Sequence, residues 1–425
     1  MLQPIDFHQL AHALSNMIDQ VGVDDLYHGK RVAYMCVETG RALGLPEKTL
    51  QTLYYAALLH DCGVSSTDVH TYLVNEMDWS NSQVHCRRGY VLLKNQVLFA
   101  PLAEILLYHH THWAALQALE LPSDTVLLSN LIYLADRVDA HIVQGRFDPP
   151  LLGRSAVHEM LCAAQGEYFA PHLVQAFLEV SQPPAFWLGF QPGHIQQYIT
   201  EFPHPALLPG VPAETKCNDC LKEVAGLFAD IVDAKSQYTA EHSHGVAGLS
   251  RHLAGLAGLQ VDVCEMVEIA GLLHDLGKLK VPDAILTSSQ PLSQREQAIM
   301  TAHAFDTYQI LRGIHGFELI SEWAGHHHEA LDGSGYPFGL HGEQLSLPER
   351  IIAVADVFQA LAQHRPYKPQ AEVGEVLAGL QTRAAEGKID ASVVELIAND
   401  LDVCWESAWG RSRVLDITTN AKPRD

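Results

Sequence analysis

The chain has 425 residues, 48% of them apolar and 18% charged, so it can bury large cores and is not intrinsically disordered. Its 50 acidic and 27 basic residues leave a formal charge of −23, which excludes polymeric nucleic acid and anionic membranes as partners, because both bind clustered Lys and Arg. A small anionic ligand stays open, since a few basic groups in one cleft suffice to bind it. The 25 histidines need a separate explanation.

The N-terminus and the hydropathy pattern predict a cytoplasmic protein. Residues 1–6 contain no basic stretch ahead of an apolar run, so the sequence shows no signal peptide. No stretch approaches the ~18 uninterrupted apolar residues that a membrane span needs. The eight cysteines are irregularly spaced, which argues against a disulfide framework.

Most of the chain has the periodicity of amphipathic helices. Leu127, Leu131 and Leu134 recur at intervals of four and three residues, and Leu249 and Leu253 are spaced in the same way. This spacing places each group on one face of a helix. Alternating strand patterns with turn dipeptides between them are hard to find, so we predict an all-α fold.

A proline-rich segment divides the chain near its middle. Residues 202–212 contain four prolines and a glycine, which cannot continue a helix. We predict that residues 201–214 form a semi-rigid linker. It would join an N-terminal domain of residues 1–200 to a C-terminal domain of residues 215–425.

The two halves repeat one ordered set of histidines and aspartates. The first set is His28, His60, Asp61, His85, His109, His110 and Asp136, and the second set is His242, His274, Asp275, His303, His327, His328 and Asp356. Corresponding members lie 214 to 220 residues apart, and in each half the His-Asp pair begins 32 residues after the first histidine. The sequence therefore predicts a tandem duplication of one helical, histidine-rich domain.

The composition of each set indicates a metal centre. Imidazoles with a few carboxylates favour borderline divalent metals such as Mn, Fe, Co, Ni or Zn, whereas Ca²⁺ and Mg²⁺ prefer oxygen ligands. Five histidines and two aspartates exceed what one ion takes, so we expect two ions. A carboxylate such as Asp275 can bridge ions that lie about 3.5–4 Å apart. The adjacent His327 and His328 can reach different ions, because neighbouring helical side chains diverge by about 100°.

The second set and its neighbours resemble the signature of the HD-GYP family. His274-Asp275 stands in Leu-Leu-His-Asp-Leu-Gly-Lys, and His327-His328-Glu329 runs on to Gly-Tyr-Pro at residues 335–337. HD-GYP proteins are metal-dependent phosphodiesterases of cyclic dinucleotides, chiefly cyclic di-GMP, and the resemblance implies this activity. The tandem arrangement, with a partial HD-type copy in front, is similar to that of a Vibrio group that degrades 3′,3′-cyclic GMP-AMP.

Carried over position by position, the resemblance implies a ligand role for every member of the second set and a catalytic role for Asp275 and Lys278. Lys278 matches the lysine that holds the scissile phosphate, and a cation there can neutralise a phosphoryl oxygen in the transition state. The positions implied at the substrate are Lys278, Gly335, Tyr336, Arg365 and Lys368. The implied cofactor is a pair of divalent transition-metal ions, with Fe, Mn or Ni expected.

Two positions depart from the family pattern. Gly245 stands where the family has an arginine in its His-Ser-x-Arg-Val stretch, and Gln359 replaces an aspartate shortly after Asp356. Neither change removes a ligand of the two-metal centre. Both leave metal tuning and substrate preference open.

The first set keeps all seven ligand positions but loses the surrounding motif. Val64 replaces the lysine, and Thr111-His112-Trp113 follows His109-His110 without an acidic residue or a Gly-Tyr-Pro loop. We therefore predict a metal-capable domain with weak or no activity. Its expected roles are packing against the catalytic copy, homodimer formation, or sensing of a ligand or metal. The alternative is a relic whose histidines hydrogen-bond one another.

We predict a phosphodiesterase that opens 3′,3′-cyclic GMP-AMP, cyclic di-GMP or both to a linear 5′-phosphorylated dinucleotide. Water bridging the two ions would attack phosphorus while the metals and Lys278 stabilise the phosphoryl oxygens. One rival is a non-catalytic cyclic-dinucleotide receptor or scaffold, which is disfavoured because the second set has lost no ligand. The other is an HD-type nucleotide phosphohydrolase, which would lack the Gly-Tyr-Pro element.

Overall fold

The computed structural model describes residues 6–21, 27–64, 66–75, 81–235, 242–363 and 372–409. Helices and their connections make up these ranges, which contain no β-strand and only two isolated bridges. The all-α prediction is confirmed. Within the same ranges, no helix combines the length and apolar character that a bilayer crossing requires.

The helices fall into two series along the chain. The first series is α1 (Phe7–Ile18), α2 (His28–Ala42), α3 (Glu47–Leu58), α4 (Thr67–Asn75), α5 (Ser82–Leu93), α6 (Ala100–Tyr108), α7 (Trp113–Leu116), α8 (Ser123–Gln144), α9 (Arg154–Ala164), α10 (Pro171–Val180), α11 (Pro184–Leu188) and α12 (Pro192–Glu201). The second series is α13 (Leu221–Asp233), α14 (His242–Leu256), α15 (Val261–Leu273), α16 (Asp283–Leu286), α17 (Gln294–Leu311), α18 (Glu318–Gly325), α19 (Leu347–Ala362), α20 (Val373–Ala385), α21 (Ala391–Asn399) and α22 (Leu401–Trp409). Short 3₁₀ turns occur at Pro150–Gly153, Cys217–Cys220, Leu276–Lys280 and Gly342–Gln344.

Contacts divide the chain into two compact units after Lys216. The first unit runs from Leu10 to Lys216, and the second begins at Cys217 and also takes in the start of α1 ahead of Leu10. Each unit contains one of the two repeated sets. The predicted domain bounds of 1–200 and 215–425 stay a prediction.

Two apolar residues anchor the segment predicted as a linker, residues 201–214, within the first unit. The Phe202 ring stacks on Tyr54 with centroids 4.0 Å apart and planes 14° from parallel. Phe202 is 3% exposed and Leu208 is 2% exposed. The prolines end the helical series at α12, and most of the other residues of the segment are exposed.

Helices that carry site residues in the second unit have strong start signals. Ser293 and Glu296 form a capping box at the start of α17, and Ser346 and Glu349 do the same at α19. Each box satisfies backbone N–H groups that the first helical turn leaves unpaired. Leu253 of α14 is fully buried, as its spacing predicts. These helices thereby hold the site residues on a packed scaffold.

Candidate active site

The seven residues of the second set converge at one buried point of the second unit. The contributions are His242 from α14, His274 and Asp275 from the end of α15, His303 from α17, His327 and His328 from the end of α18, and Asp356 from α19. All of them except His328 are at most 8% exposed. The structure thus brings together every residue of the predicted metal set, although they span more than 100 residues of sequence.

One subset of ligand atoms belongs to His242, His274 and Asp356. The two Nε2 atoms lie 3.2 Å apart, and Asp356 Oδ1 lies 3.2 Å from His242 Nε2 and 3.8 Å from His274 Nε2. Ligand atoms at 2.0–2.2 Å from a common ion are separated by roughly 3–4 Å. This subset, named the His242 subset below, therefore has the spacing of a coordination sphere.

A second subset, the His303 subset, belongs to His303, His327 and His328. The Nε2 atoms of His303 and His327 lie 3.3 Å apart. One nitrogen from each of the three rings falls within 4.8 Å of the others. His328 Nδ1 also lies 3.8 Å from Asp356 Oδ2. The three imidazoles are thus grouped as ligands of a further ion.

Asp275 lies between the two subsets and turns one oxygen toward each. Its Oδ2 atom is 3.3 Å from His274 Nε2 and 3.6 Å from His242 Nε2. Its Oδ1 atom is 3.5 Å from His303 Nε2 and 3.8 Å from His327 Nε2. A carboxylate in this position can bridge two ions, as the sequence predicts for this residue.

Main-chain carbonyls decide which nitrogen these imidazoles present. The Nδ1–H groups of His274, His303 and His327 donate to the carbonyl oxygens of residues 271, 300 and 324, at 2.8, 2.5 and 2.7 Å. Each carbonyl lies three residues before its histidine. Because a carbonyl only accepts, the proton sits on Nδ1 and the Nε2 lone pair points into the site.

Burial disfavours the charged form of two of the imidazole ligands. It lowers the pKa of His303 to about 3 and holds the pKa of His327 well below its ordinary value. Burial also disfavours the charged form of His274, but Asp275 outweighs it and raises the pKa of this imidazole. Burial opposes ionisation of Asp275, but the charges of His274 and Lys278 outweigh it and hold the pKa of this carboxyl well below its usual range. Neutral imidazoles and ionised carboxylates are the forms that bind metal.

One buried atom tests whether the residues fit metal ions. Asp275 Oδ1 is a buried carboxylate oxygen that has no hydrogen-bond partner among the described residues. Such an atom costs several kcal/mol unless something compensates it (about 1–3 for a neutral group, more for a charged one). Divalent cations between the two subsets would compensate it, so the residues fit a pair of ions.

Lys278 is the cation nearest to the metal set. Its Nζ lies 2.5 Å from Asp275 Oδ2, and the side chain keeps 23% of its surface exposed. Burial opposes the charge of Lys278, but Asp275 and Asp356 raise its pKa. Gly277 lets the 3₁₀ turn approach α17, because a Cβ there would lie 2.0 Å from the His303 carbonyl oxygen. The turn therefore carries a protonated, accessible amine beside the centre.

Lys235 is a residue of this site that sequence reasoning missed. It is 6% exposed and donates to the carbonyl oxygens of Leu279 and Val281, which lie one and three residues after Lys278 along the chain. Burial lowers the pKa of Lys235 to about 8, against the opposing effect of Asp283. Its contacts lie 44 and 46 residues away, so no local spacing signals them.

The Gly-Tyr-Pro loop folds back onto the His303 subset. The Tyr336 backbone N–H donates to the His328 carbonyl at 3.1 Å, and the two rings lie 4.8 Å apart. Gly335 permits this approach, because a Cβ there would lie 2.3 Å from the Ala330 nitrogen. The structure thus places both loop residues beside the ligands. Arg365 and Lys368, the other residues predicted at the substrate, lie outside the described residues.

Glu329 explains why an acidic residue follows the two histidines. It is 5% exposed, and its carboxylate accepts the backbone N–H groups of Phe338 at 2.7 Å and Leu340 at 2.9 Å. The Glu329 carboxylate therefore holds the backbone that follows the Gly-Tyr-Pro residues close to the start of the loop. The first unit has Thr111 at this position and continues into α7.

The first unit reproduces the metal geometry. His28 Nε2 lies 3.3 Å from His60 Nε2, and His85 Nε2 lies 3.2 Å from His109 Nε2. Asp61 again separates two groups, with Oδ2 3.5 Å from His60 Nε2 and Oδ1 3.5 Å from His85 Nε2. Its Oδ1 atom is buried and lacks a hydrogen-bond partner in the described part of the chain.

The remaining members of the first set are joined by an arginine. Asp136 lies 3.5 Å from His28 Nε2 and 3.5 Å from His110 Nε2. The buried Arg137 also donates to Asp136 Oδ2 at 2.8 Å, a contact that the sequence analysis did not anticipate. Val64, in place of Lys278, is 3% exposed. The guanidinium of Arg137 thus pairs with the second aspartate of the set, and the position of Lys278 is taken by an uncharged side chain.

Comparisons with known proteins agree with this geometry. Residues 25–141 and residues 226–393 each match a model described as an HD domain. The chain is 35% identical over 403 residues to 3′3′-cGAMP-specific phosphodiesterase 1 of Vibrio cholerae, covering 93% of this chain and 92% of that protein. This chain belongs to the HD-GYP family. HD domains are metal-dependent hydrolases that bind divalent metals.

Other HD-GYP relatives differ in how much of the chain they match. The crystal structure of the cyclic GMP-AMP specific phosphodiesterase V-cGAP3 of V. cholerae superposes with a TM-score of 0.62 at 26% identity, over 94% of this chain and 99% of that one. The cyclic di-GMP phosphodiesterase response regulator RpfG of Xanthomonas campestris is 42% identical over 123 residues, which are 28% of this chain and 32% of that protein.

Proposed function

We propose that this protein is a two-metal phosphodiesterase that hydrolyses a cyclic dinucleotide, with 3′,3′-cyclic GMP-AMP as its preferred substrate. The observation that carries the proposal is the second unit's combination of Asp275, which turns one oxygen to each subset, with the accessible Lys278. The relatives named as cyclic GMP-AMP or cyclic di-GMP phosphodiesterases support the reaction class.

The extent of the matches supports cyclic GMP-AMP over cyclic di-GMP. Two of the three relatives named for cyclic GMP-AMP match 93% and 87% of this chain and the third matches 43%, and the V-cGAP3 structure matches 94% of it. Those named for cyclic di-GMP cover 25% to 45% of it. The proposed preference therefore rests on the arrangement of two HD-type units in one chain.

The residues of the second unit divide the work of hydrolysis. Two divalent ions bound there, with Fe, Mn or Ni expected, would supply an activated water and neutralise phosphoryl charge. Asp275 fixes the separation of the two subsets. Lys278 is positioned to donate to a phosphoryl oxygen, where a cation stabilises the charge that develops. Attack at phosphorus releases the 3′ oxygen and yields a linear dinucleotide with a 5′-phosphate.

A product assay with four nucleotides tests the proposal. Protein loaded with Mn²⁺ or Fe²⁺ is incubated separately with cyclic GMP-AMP, cyclic di-GMP, cyclic di-AMP and GTP, and the products are separated by chromatography. We expect a linear 5′-phosphorylated dinucleotide from cyclic GMP-AMP at the highest kcat/KM. Binding without turnover would favour a receptor, and turnover of GTP alone would favour a nucleotide phosphohydrolase.

Glu329→Ala is expected to raise KM for the cyclic dinucleotide about tenfold or more while metal content stays unchanged. The substitution removes two charge-assisted hydrogen bonds to the loop, each worth about 1.5–3 kcal/mol, so the loop no longer stays closed on His328. Steady-state kinetics and metal analysis measure the two effects. Glu343→Ala, at an exposed position in the same loop region, is the matched control and should behave as wild type. An equal change in both variants would contradict the role of Glu329.

Three further expectations belong to the same proposal. The first unit binds metal but contributes little hydrolysis, because it has Val64 and Thr111 where the second unit has Lys278 and Glu329. The protein acts in the cytoplasm. It can assemble as a homodimer through the first unit.

A further inference from the structure

In the first unit, two charged side chains support the first histidine, His28, at its Nδ1 atom, on the other side of the ring from Nε2. His28 Nδ1 lies 2.8 Å from Asp139 Oδ2. Arg31 binds the same carboxylate with two hydrogen bonds, from Nε to Oδ1 at 2.6 Å and from Nη2 to Oδ2 at 2.7 Å. A carboxylate behind a metal-binding imidazole fixes its tautomer and orientation and strengthens it as a ligand. The hydrogen-bond partner of the His28 imidazole is thus a charged carboxylate, which is itself paired with Arg31.

The second unit replaces both members of this pair. The positions of Arg31 and Asp139 correspond to Gly245 and Gln359. Gln359 is 1% exposed, and a Cβ on Gly245 would lie 1.8 Å from its Nε2 atom. The Gln359 amide therefore occupies the space that any side chain at residue 245 would need, and the two changes are physically coupled.

The Gln359 amide has a defined orientation. Its Nε2 donates to the Ala408 carbonyl oxygen, which only the NH₂ end of an amide can do. The opposite end, Oε1, is buried and has no hydrogen-bond partner within the described ranges, and the same holds for His242 Nδ1. When His242 binds metal through Nε2, its Nδ1 carries a proton that needs an acceptor. One donor and one acceptor are thus unpaired in the two residues that correspond along the sequence to His28 and Asp139, which are hydrogen-bonded in the first unit.

We propose that Gln359 is the positioning residue of the metal ligand His242, accepting its Nδ1–H through Oε1, and that α22 sets the orientation of the Gln359 amide. The inference rests on the proposed metal centre of the second unit. It assigns a neutral amide to the role that a carboxylate fills in the first unit. The His242 subset consequently holds its ion less firmly than the corresponding residues of the first unit.

Helix α22 packs close enough to α14 to contact Gln359 because α14 has glycines on the face that contacts α22. A Cβ on Gly245 would lie 2.3 Å from the Ala408 carbonyl oxygen, and a Cβ on Gly248, one turn later, 2.6 Å from that of Ser407. The first unit has Arg31 and Tyr34 at these positions, which leaves no such surface. His252 of α14 also binds Asp400, just ahead of α22, at 2.8 Å. In the second unit, α22 thereby contacts both α14, which carries His242, and the Gln359 side chain.

Metal retention in an Asp61→Ala background tests the proposal, because the bound ions then report on the second unit. Full-length protein is loaded with Mn²⁺ and transferred to EDTA, and the bound metal is measured over time by atomic absorption. We expect Gln359→Met to lose metal about tenfold faster or more, the effect typical of removing a partner behind a ligand. Gln359→Glu keeps an acceptor for His242 but loses the donor to the Ala408 carbonyl, so it should retain metal better than Gln359→Met and less well than the parent.

Glycine variants test the part played by α22. Gly248→Ala forces α22 away from α14 without touching the site, so it should also lose metal faster. Combined with Gln359→Met it should add nothing, because both act through one contact. Gly255→Ala is the matched control on the same helix, since its Cβ meets no atom within 4 Å.

The outcomes separate the inference from the proposed function. Retention in Gln359→Met equal to that of the parent overturns the positioning role. If Gln359→Met and Gln359→Glu lose metal at the same rate and lower Tm by the same amount, the positioning role is also overturned, because Gln359 then contributes only through packing. If the Asp61→Ala parent protein binds no Mn²⁺, the proposed metal centre itself is contradicted, before any Gln359 variant is compared. Faster loss in Gln359→Met than in the parent, with an intermediate rate in Gln359→Glu, supports the inference.

Discussion

Asp275→Ala is expected to abolish hydrolysis of the cyclic dinucleotide and to release the ions of the second unit. Asp275 supplies an oxygen to both subsets, at 3.3 Å from His274 Nε2 and 3.5 Å from His303 Nε2. Its removal would take a shared ligand from both proposed ions, and with it the activated water that they would supply, so kcat should fall by at least about a thousandfold. Product chromatography and metal analysis of the same preparation measure both losses.

Asp61→Ala is the matched control for this prediction. Asp61 has the same position between two histidine groups in the first unit, at 3.5 Å from His60 Nε2 and from His85 Nε2. We expect this variant to lose metal from the first unit and to keep its turnover. Activity that survives Asp275→Ala and disappears in Asp61→Ala would place the reaction in the first unit.

Lys278→Met is expected to lower kcat by about 10²–10³-fold, the range found when one preorganised donor to a developing oxyanion is removed. Methionine keeps the length and apolar stem of the lysine but carries no charge. The bound metal should not change, because Lys278 is not a ligand and all seven ligands remain. Steady-state kinetics with cyclic GMP-AMP, beside metal analysis, separate this effect from loss of the centre.

Lys280→Ala is the control for position and charge. Lys280 lies in the same 3₁₀ turn, but its side chain is 40% exposed and pairs with Asp306 at 2.5 Å. An exposed ion pair contributes little to stability, about 0–1 kcal/mol. This variant should retain nearly full activity. A comparable loss of kcat in both lysine variants would show a general effect of charge near the turn and contradict a specific role for Lys278.

The sequence sufficed to predict which histidines and aspartates converge, because this information is local and repeated. His274-Asp275 and His327-His328 are adjacent pairs, and their counterparts recur in the same order in the first half. The all-α fold could be predicted for a similar reason, since helical periodicity extends over a few turns only. The grouping of the ligands into two subsets could not, because it depends on how α14, α17 and α19 meet.

Residues that act through distant backbone atoms had no local signal. Lys235 binds carbonyl groups 44 and 46 residues away, and Gln359 binds one 49 residues away. The proline-rich stretch is a related case. Its prolines correctly predict the end of the helices, but the burial of Phe202 and Leu208 depends on surfaces formed by other parts of the first unit. Composition alone does not show those surfaces.

The hydrogen bonds from histidine Nδ1 to main-chain carbonyls bear on how the two copies could diverge. In the first unit, His60 and His109 donate to the carbonyls of Ala57 and Leu106, as their counterparts do in the second. A main-chain oxygen is present whatever side chain its residue carries. The imidazoles that donate to such an oxygen therefore keep their tautomer and orientation even where nearby lysines and loops are lost. His28 and His242 lack such an anchor in the described structure and depend on a replaceable neighbour. His85 also lacks such a partner within the described residues, whereas its counterpart His303 donates to the Met300 carbonyl. The support behind the imidazoles therefore differs between the two copies at the first and third histidines, and it is the same at His60, His109, His274 and His327.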